Sequence, residues 1–188
     1  MTFTKQSGIY TLKSEQIISS TLEQVWEFFT LPQNLESISP KNMKFSITNE
    51  PGFTTYLGQI ITYKIGIFPL VDSNWVTEIT HFKEKEFFVD EQRFGPYAMW
   101  HHEHHFEELS DKKVKMTDIV NYKVPFGEIG NALMGNLIKR KIRNIFEYRA
   151  SLINQLDFTN TISPYKIEKN SRKNKENINR LNKNLFTS

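Results

Sequence analysis

Between residues 43 and 124 the chain reads as six strand-like segments set close together, and one long helical pattern follows them. The segments lie near 43–49, 56–66, 71–82, 85–94, 97–109 and 113–124. Pro51-Gly52, the stretch 66–69, Lys83-Glu84, Gly95-Pro96 and Ser110-Asp111-Lys112 interrupt them, all residues suited to turns. Spacing this close predicts an antiparallel meander.

The flanks are helical. Residues 9–19 read as a first strand carrying Tyr10, Leu12, Ile17 and Ile18. Ser20-Thr21 suits a helix N-cap, with Glu23 and Gln24 in the first turn and Val25, Trp26, Phe28 and Phe29 as an apolar stripe. Pro32 opens a second short helix over 32–38 that stops before Pro40. Beyond the meander, 127–155 predicts a single helix. Ile129, Leu133, Met134, Leu137, Ile138, Ile142, Ile145, Phe146, Leu152, Ile153 and Leu156 recur at three/four spacing and are expected to be buried. Lys139, Arg140, Lys141, Arg143 and Arg149 are expected on its other faces. Gly130 and Gly135 either let this helix approach the sheet or a ligand closely, or are simply tolerated.

At 188 residues the chain fits one domain with a sizeable core and some surplus. The surplus is the end. After Asp157 the text turns to Asn, Lys and Ser, and a segment of that composition buries too little to offset its ordering entropy. Residues 157–188 are therefore expected to form a disordered basic tail, making at most weak contacts with anionic partners. From Lys166 onward seven Lys/Arg stand against two Glu, so the tail carries +5 of a net +3 and leaves the body at −2. Such a body gives no strong nucleic-acid signal. With no Cys, disulfides, thiolate metal sites and cysteine nucleophiles are excluded. No leader-like or membrane-spanning run stands out, so a soluble cytoplasmic protein is the expectation.

The chemistry concentrates in Trp100-His101-His102-Glu103-His104-His105-Phe106. On a strand, Trp100, His102, His104 and Phe106 share one face, while His101, Glu103 and His105 take the other. A hairpin centred near Asp111 sets Trp100 opposite Tyr122, His102 opposite Val120, His104 opposite Asp118 and Phe106 opposite Met116. His104 and Asp118 then come within hydrogen-bonding reach. Asp90 and Gln92 share this phase across the preceding turn, and Trp75 and Thr77 join from the strand before. Buried carboxylates need partners, and the histidines are the obvious ones. The set can be a satisfied polar network, a group that orients a ligand, or an acid–base pair in which Asp118 orients His102 or His104. A His-x-His pair with Asp90 or Asp118 could also chelate, but aromatics crowd the site, so no metal and no cofactor is expected. No phosphate-cradling loop or Gly-x-Ser-x-Gly elbow occurs.

The order of strand, two short helices, meander and long C-terminal helix resembles the START-like (SRPBCC, Bet v 1-like) superfamily. "EQVWEFFTLPQNLESISP" at 23–40 looks like its first two helices. "DEQRFGPYAMWHHEHHF" at 90–106, "TDIVNYKVPFG" at 117–127 and "IFEYR" at 145–149 look like a bacterial ligand-binding branch. The resemblance covers about 9–156. It implies an α+β helix-grip fold over 1–156, with a curved antiparallel sheet of about seven strands wrapped around the last helix. It also implies a deep cavity; members carry lipids, sterols, hormones or quinones, and some are cyclases or aromatic hydroxylase subunits. The expected function is binding of a hydrophobic small molecule, as carrier or sensor. Trp75, Trp100, Phe106, Tyr122 and Phe126 would supply contact area, and Asp90, Gln92, His102, His104 and Asp118 would orient the polar end. The alternatives are a polyketide-cyclase or dehydratase-type enzyme using the His–Asp pair, and an interaction protein using the basic tail.

Overall fold

Ser7-Gly8 makes the first turn of the chain. Both residues have positive φ (50° and 78°), the backbone that matches the twist of a two-residue hairpin. This hairpin joins β1 (Thr2–Gln6) to β2 (Ile9–Ile18), with Gln6 opposite Ile9. The extra strand β1 was not expected. Its signal was the Ser-Gly pair, a turn dipeptide placed too near the start of the chain to be read as one.

The computed structural model describes residues 1–52, 54–68, 71–156 and 158. After β2 come α1 (Leu22–Phe29) and α2 (Asn34–Ser37), then a 3-10 turn at Lys41–Met43. Thr21 caps α1 as expected: its side chain accepts from the Gln24 backbone while Gln24 accepts from the Thr21 backbone. The remaining strands are β3 (Ser46–Ile47), β4 (Ile60–Phe68), β5 (Val71–Lys83), β6 (Phe87–Phe94), β7 (Met99–Ser110) and β8 (Lys113–Lys123). The helix α3 (Gly127–Ile153) follows. The strand expected over 43–49 shrinks to two residues, because the 3-10 turn and the left-handed Lys44 (φ 46°) use up its start. The turn expected at 66–69 is displaced, since β4 runs on to Phe68, and Pro69 lies outside the described residues. The tail expected at 157–188 also lies outside them, Phe158 apart; Phe158 is buried against Phe28.

All eight strands form one curved, unclosed antiparallel sheet in the order β1-β2-β8-β7-β6-β5-β4-β3. The pairing of β2 with β8 brings the two ends of the domain together. One cluster joins α1 to β7 and β8 through Val25, Trp26, Phe106 and Met116. A second joins Tyr10, Leu12, Val120 and Tyr122 to Ile138, Ile142 and Phe146 of α3. Gly135 allows that second contact: a Cβ there would lie 2.7 Å from the Tyr10 hydroxyl.

The helix pattern needs a correction. Ile138, Ile142, Phe146 and Ile153 are buried, but Ile129 (76% exposed), Leu133 (79%) and Leu137 are not. At about 100° per residue, a separation of nine residues is half a turn. Ile129 therefore faces away from Ile138, and Leu133 from Ile142; the sheet covers one face only. Among the described residues, no helix is long and apolar enough to cross a membrane.

Candidate functional site

β7 lies within the sheet between β6 and β8, and its inward phase carries Trp100, His102, His104 and Phe106. Its register with β8 sets Trp100 opposite Tyr122, His102 opposite Val120, His104 opposite Asp118 and Phe106 opposite Met116, as a turn near Asp111 requires. On its other side Asp90 of β6 sits opposite His102. Two imidazoles are thus flanked by two carboxylates across three neighbouring strands.

The hydrogen bonds run diagonally rather than straight across. His102 Nε2 bonds to Asp118 Oδ1 at 3.0 Å, and His104 Nε2 bonds to Asp90 Oδ2 at 2.8 Å. His102 Nδ1 also lies 3.3 Å from Asp90 Oδ2. The expected pair, His104 with Asp118, is close (Nδ1 to Oδ1, 3.1 Å) but at the wrong angle for a hydrogen bond, and this nitrogen has no such partner among the described residues. The reason is reach. An imidazole is long enough to span to a diagonal neighbour, so His102 reaches past Val120 to Asp118 and His104 past Phe88 to Asp90.

His102 and His104 are 5% and 7% exposed, their ring centroids 3.8 Å apart. A carboxylate stands on either side of them, Asp90 on β6 and Asp118 on β8. Burial by itself would raise the carboxyl groups of Asp90 and Asp118; the charge and hydrogen bonds of the two histidines outweigh it and hold both well below the usual carboxylate range. Burial likewise disfavours a charged His102, but Asp90 and Asp118 prevail and raise it to about 9. At neutral pH His102 is an imidazolium with one carboxylate on each nitrogen. It can give a proton but cannot take one.

Above this square lies a cavity between the sheet and α3, with about 150 Å³ open to the centre of a water molecule. That is about ten times the ~15 Å³ one water needs. Its walls are mostly aromatic and aliphatic. Trp75, Tyr97 and Trp100 pack edge-on and tilted at 4.9–5.5 Å. Phe88 stacks on His104 at 4.2 Å, and Phe146 from α3 meets His102. Lys141, Ile142, Ile145 and Arg149 complete the helix wall.

Of the residues singled out from sequence, Trp75, Thr77, Asp90, Trp100, His102 and His104 line this cavity. Asp118 stands behind them, bonded to His102. Phe106 packs into the α1 core against Trp26, and Tyr122 stacks on Tyr10. Gln92 clasps the turn after β6, donating to the Tyr97 carbonyl and accepting from the Tyr97 amide. Phe126 is 80% exposed in a left-handed conformation (φ 65°) just before α3, away from the cavity. Arg149 and Tyr63 were not singled out, yet both line it. Arg149 had a legible signal: it falls seven residues after Ile142 and four before Ile153, in phase with the buried face. Charge alone had assigned it to solvent.

Asp90, His102 and His104 offer three donor atoms within 4.8 Å of one another, a set able to hold a divalent ion. Binding one would require release of the protons that now join the square.

No protein-family model matches the chain, and no curated protein matches it. Solved structures do. A protein from Arthrobacter aurescens superposes with a TM-score of 0.60 at 15% identity, covering 82% of this chain and 92% of that one. The Zhui aromatase/cyclase from Streptomyces sp. R1128 gives 0.57 at 10% identity, covering 77% and 93%. Norcoclaurine synthase from Thalictrum flavum, in a truncated form, gives 0.56 at 10% identity, covering 82% and 100%. Element order, sheet topology and these superpositions agree: the chain has the helix-grip fold that its sequence resemblance implies.

Proposed function

We propose that this domain binds a hydrophobic small molecule in the cavity between its sheet and α3, as a carrier or sensor. One observation carries the reading: an aromatic-walled cavity stands over a floor of fixed, internally paired charge. Apolar walls with a few placed polar groups are the general composition of a small-molecule site. Trp75, Trp100 and Phe146 supply contact area, while Asp90 and the two histidines give one end of the ligand a polar surface to meet. The direct test is native mass spectrometry of untagged protein from its own host, followed by denaturing extraction. A retained lipid, quinone or aromatic compound is the expected result. Repeated recovery of protein without any small molecule, together with no binding of apolar aromatic probes, would sink the reading.

A second reading is an enzyme of the polyketide-cyclase type. Buried His–Asp pairs on a cavity wall favour it, and two proteins with this fold bear the names aromatase/cyclase and norcoclaurine synthase. With His102 held protonated, the base would have to be His104, oriented by Asp90. Unchanged turnover of a polyketide substrate by His104→Ala and Asp90→Asn variants would end it.

A further inference from the structure

Each imidazole of the inner pair turns one nitrogen to Asp90 and the other to Asp118. On the Asp90 side, His104 Nε2 and His102 Nδ1 lie 2.8 and 3.3 Å from the same oxygen, Oδ2. On the far side, His102 Nε2 and His104 Nδ1 lie 3.0 and 3.1 Å from Asp118 Oδ1. The two sides differ in one respect: Asp90, His102 and His104 line the cavity, whereas Asp118 does not. The site is thus layered, with three metal-ligating side chains on the lining and one carboxylate behind both rings.

A neutral imidazole has one N–H and one lone pair. Four nitrogens face carboxylate oxygens here, so protons alone fill every contact only by charging both rings, at a centroid separation of 3.8 Å. A divalent ion on the Asp90 side removes that requirement. It takes a lone pair from each ring and an oxygen from Asp90, and both rings stay neutral. Their remaining N–H groups are then left for Asp118, as in the carboxylate–histidine–metal relays that orient ligating imidazoles. His104 Nδ1, the ring nitrogen of the square with no hydrogen bond among the described residues, gains its partner if the ring turns as Nε2 leaves Asp90 for the ion. The distances suit the exchange. The three donor atoms lie within 4.8 Å of one another, and a tetrahedral zinc ion with bonds of about 2.1 Å spaces its ligands roughly 3.4 Å apart, so Asp90 and His104 need only part slightly. The aromatics do not block it. Phe106 packs into the α1 core, and Phe88 stacks on the face of His104, whereas coordination uses the ring edge.

We propose that Asp90, His102 and His104 hold a divalent ion of the zinc type, with Asp118 as the positioning residue behind both histidines. Two imidazole nitrogens and one carboxylate oxygen are a donor set that zinc takes. Three protein ligands leave a fourth position, and because all three line the cavity, that position opens on it. Zinc sites built this way bind or activate a small molecule, in contrast to closed structural sites. On the outer face of β7, His101 and His105 bond to Glu91 and Glu103, but no three donors converge there among the described residues. The proposal goes beyond the cavity-binding reading and does not depend on it.

The test uses the full chain without a tag, stripped by a chelator and dialysed against zinc, with affinities read by competition with a zinc-binding dye. One zinc ion per chain is the expected stoichiometry. His104→Gln and Asp90→Asn should each abolish binding, and Asp118→Asn, which keeps all three ligands, should weaken it by about 10–100-fold. The outer double variant, His101→Gln with His105→Gln, should bind as the wild type does. Cobalt(II) in place of zinc gives a second readout on the unmutated chain. It should show the intense visible bands of a four-coordinate ion rather than the faint bands of an ion held mainly by water. Thermal melting checks that each variant folds, and where a ligand variant does not, the cobalt spectra of the wild type and the outer variant decide. Three results overturn the proposal: no zinc retained by the wild type, faint cobalt bands, or binding that survives in His104→Gln and Asp90→Asn. Binding lost in the outer variant would mean an adventitious ion only, and overturns it equally. The cavity reading stands or falls separately, on the small molecule recovered by native mass spectrometry.

Discussion

The two faces of β7 carry the same residue type in the same strand and differ in everything else. Inside, His102 and His104 are buried, share two carboxylates and stand 3.8 Å apart. Outside, His101 and His105 have side chains 27% and 41% exposed and bond to Glu91 and Glu103. His101 Nδ1 lies 2.8 Å from Glu91, no longer than the bond from His104 to Asp90. Distance therefore does not separate the faces; water does. Where water competes, an ion pair contributes little, and where it is excluded the same pair fixes protonation states. The site is made by strand phase, not by the run of histidines.

The largest effect should come from removing an inner carboxylate. Asp118→Ala leaves the His102 imidazolium with one partner in a buried site, and breaking a buried pair in this way typically costs about 3–5 kcal/mol. Urea denaturation measures it, and Glu103→Ala on the outer face is the control, expected within about 1 kcal/mol. Similar losses at the two positions would erase the distinction drawn between the faces.

A somewhat smaller effect should appear on changing pH. Because the folded His102 is raised to about 9, its contribution is complete below the unfolded value of about 6.5 and is lost as pH rises toward 9. Stability should fall by about 3 kcal/mol across that window. The carboxylates act in the opposite sense. Asp90 and Asp118 are lowered, so their contribution is present above about 4 and lost as the solution is acidified below it. Denaturant midpoints measured from pH 6 to 9 test the alkaline arm. His102→Gln should flatten it; an equal fall in that variant would assign the loss to another group.

The fold was largely legible because its signals are periodic. Alternation located β5 to β8 within a few residues, and the turn at Asp111 gave the β7–β8 register through four pairs. The site was less so, since its residues are joined by reach and not by register. Straight-across pairing joined His104 to Asp118, whereas the bonds run diagonally. Gln92 has the right phase, but its amide is used to clasp the Tyr97 backbone. Arg149 was missed because a charged residue on a helix suggests solvent, although its position follows the buried stripe. Ile129 and Leu133 were misplaced for the converse reason: apolar spacing on one helix described two opposite faces, and only the sheet chooses between them.

The smallest effect is the sharpest check on the comparison. His101→Gln and His105→Gln remove the outer imidazoles and keep side chains able to hydrogen-bond to Glu91 and Glu103. Surface changes of this kind usually stay within about 0.5 kcal/mol. The double variant should therefore denature within about 1 kcal/mol of the wild type and keep the alkaline loss assigned to His102. Its value is that it alters half of the histidine run while leaving the inner phase intact. If the alkaline loss disappeared with the outer pair, the protonation of His102 would depend on the whole run. The partition by strand face would then be wrong, even with every inner hydrogen bond in place.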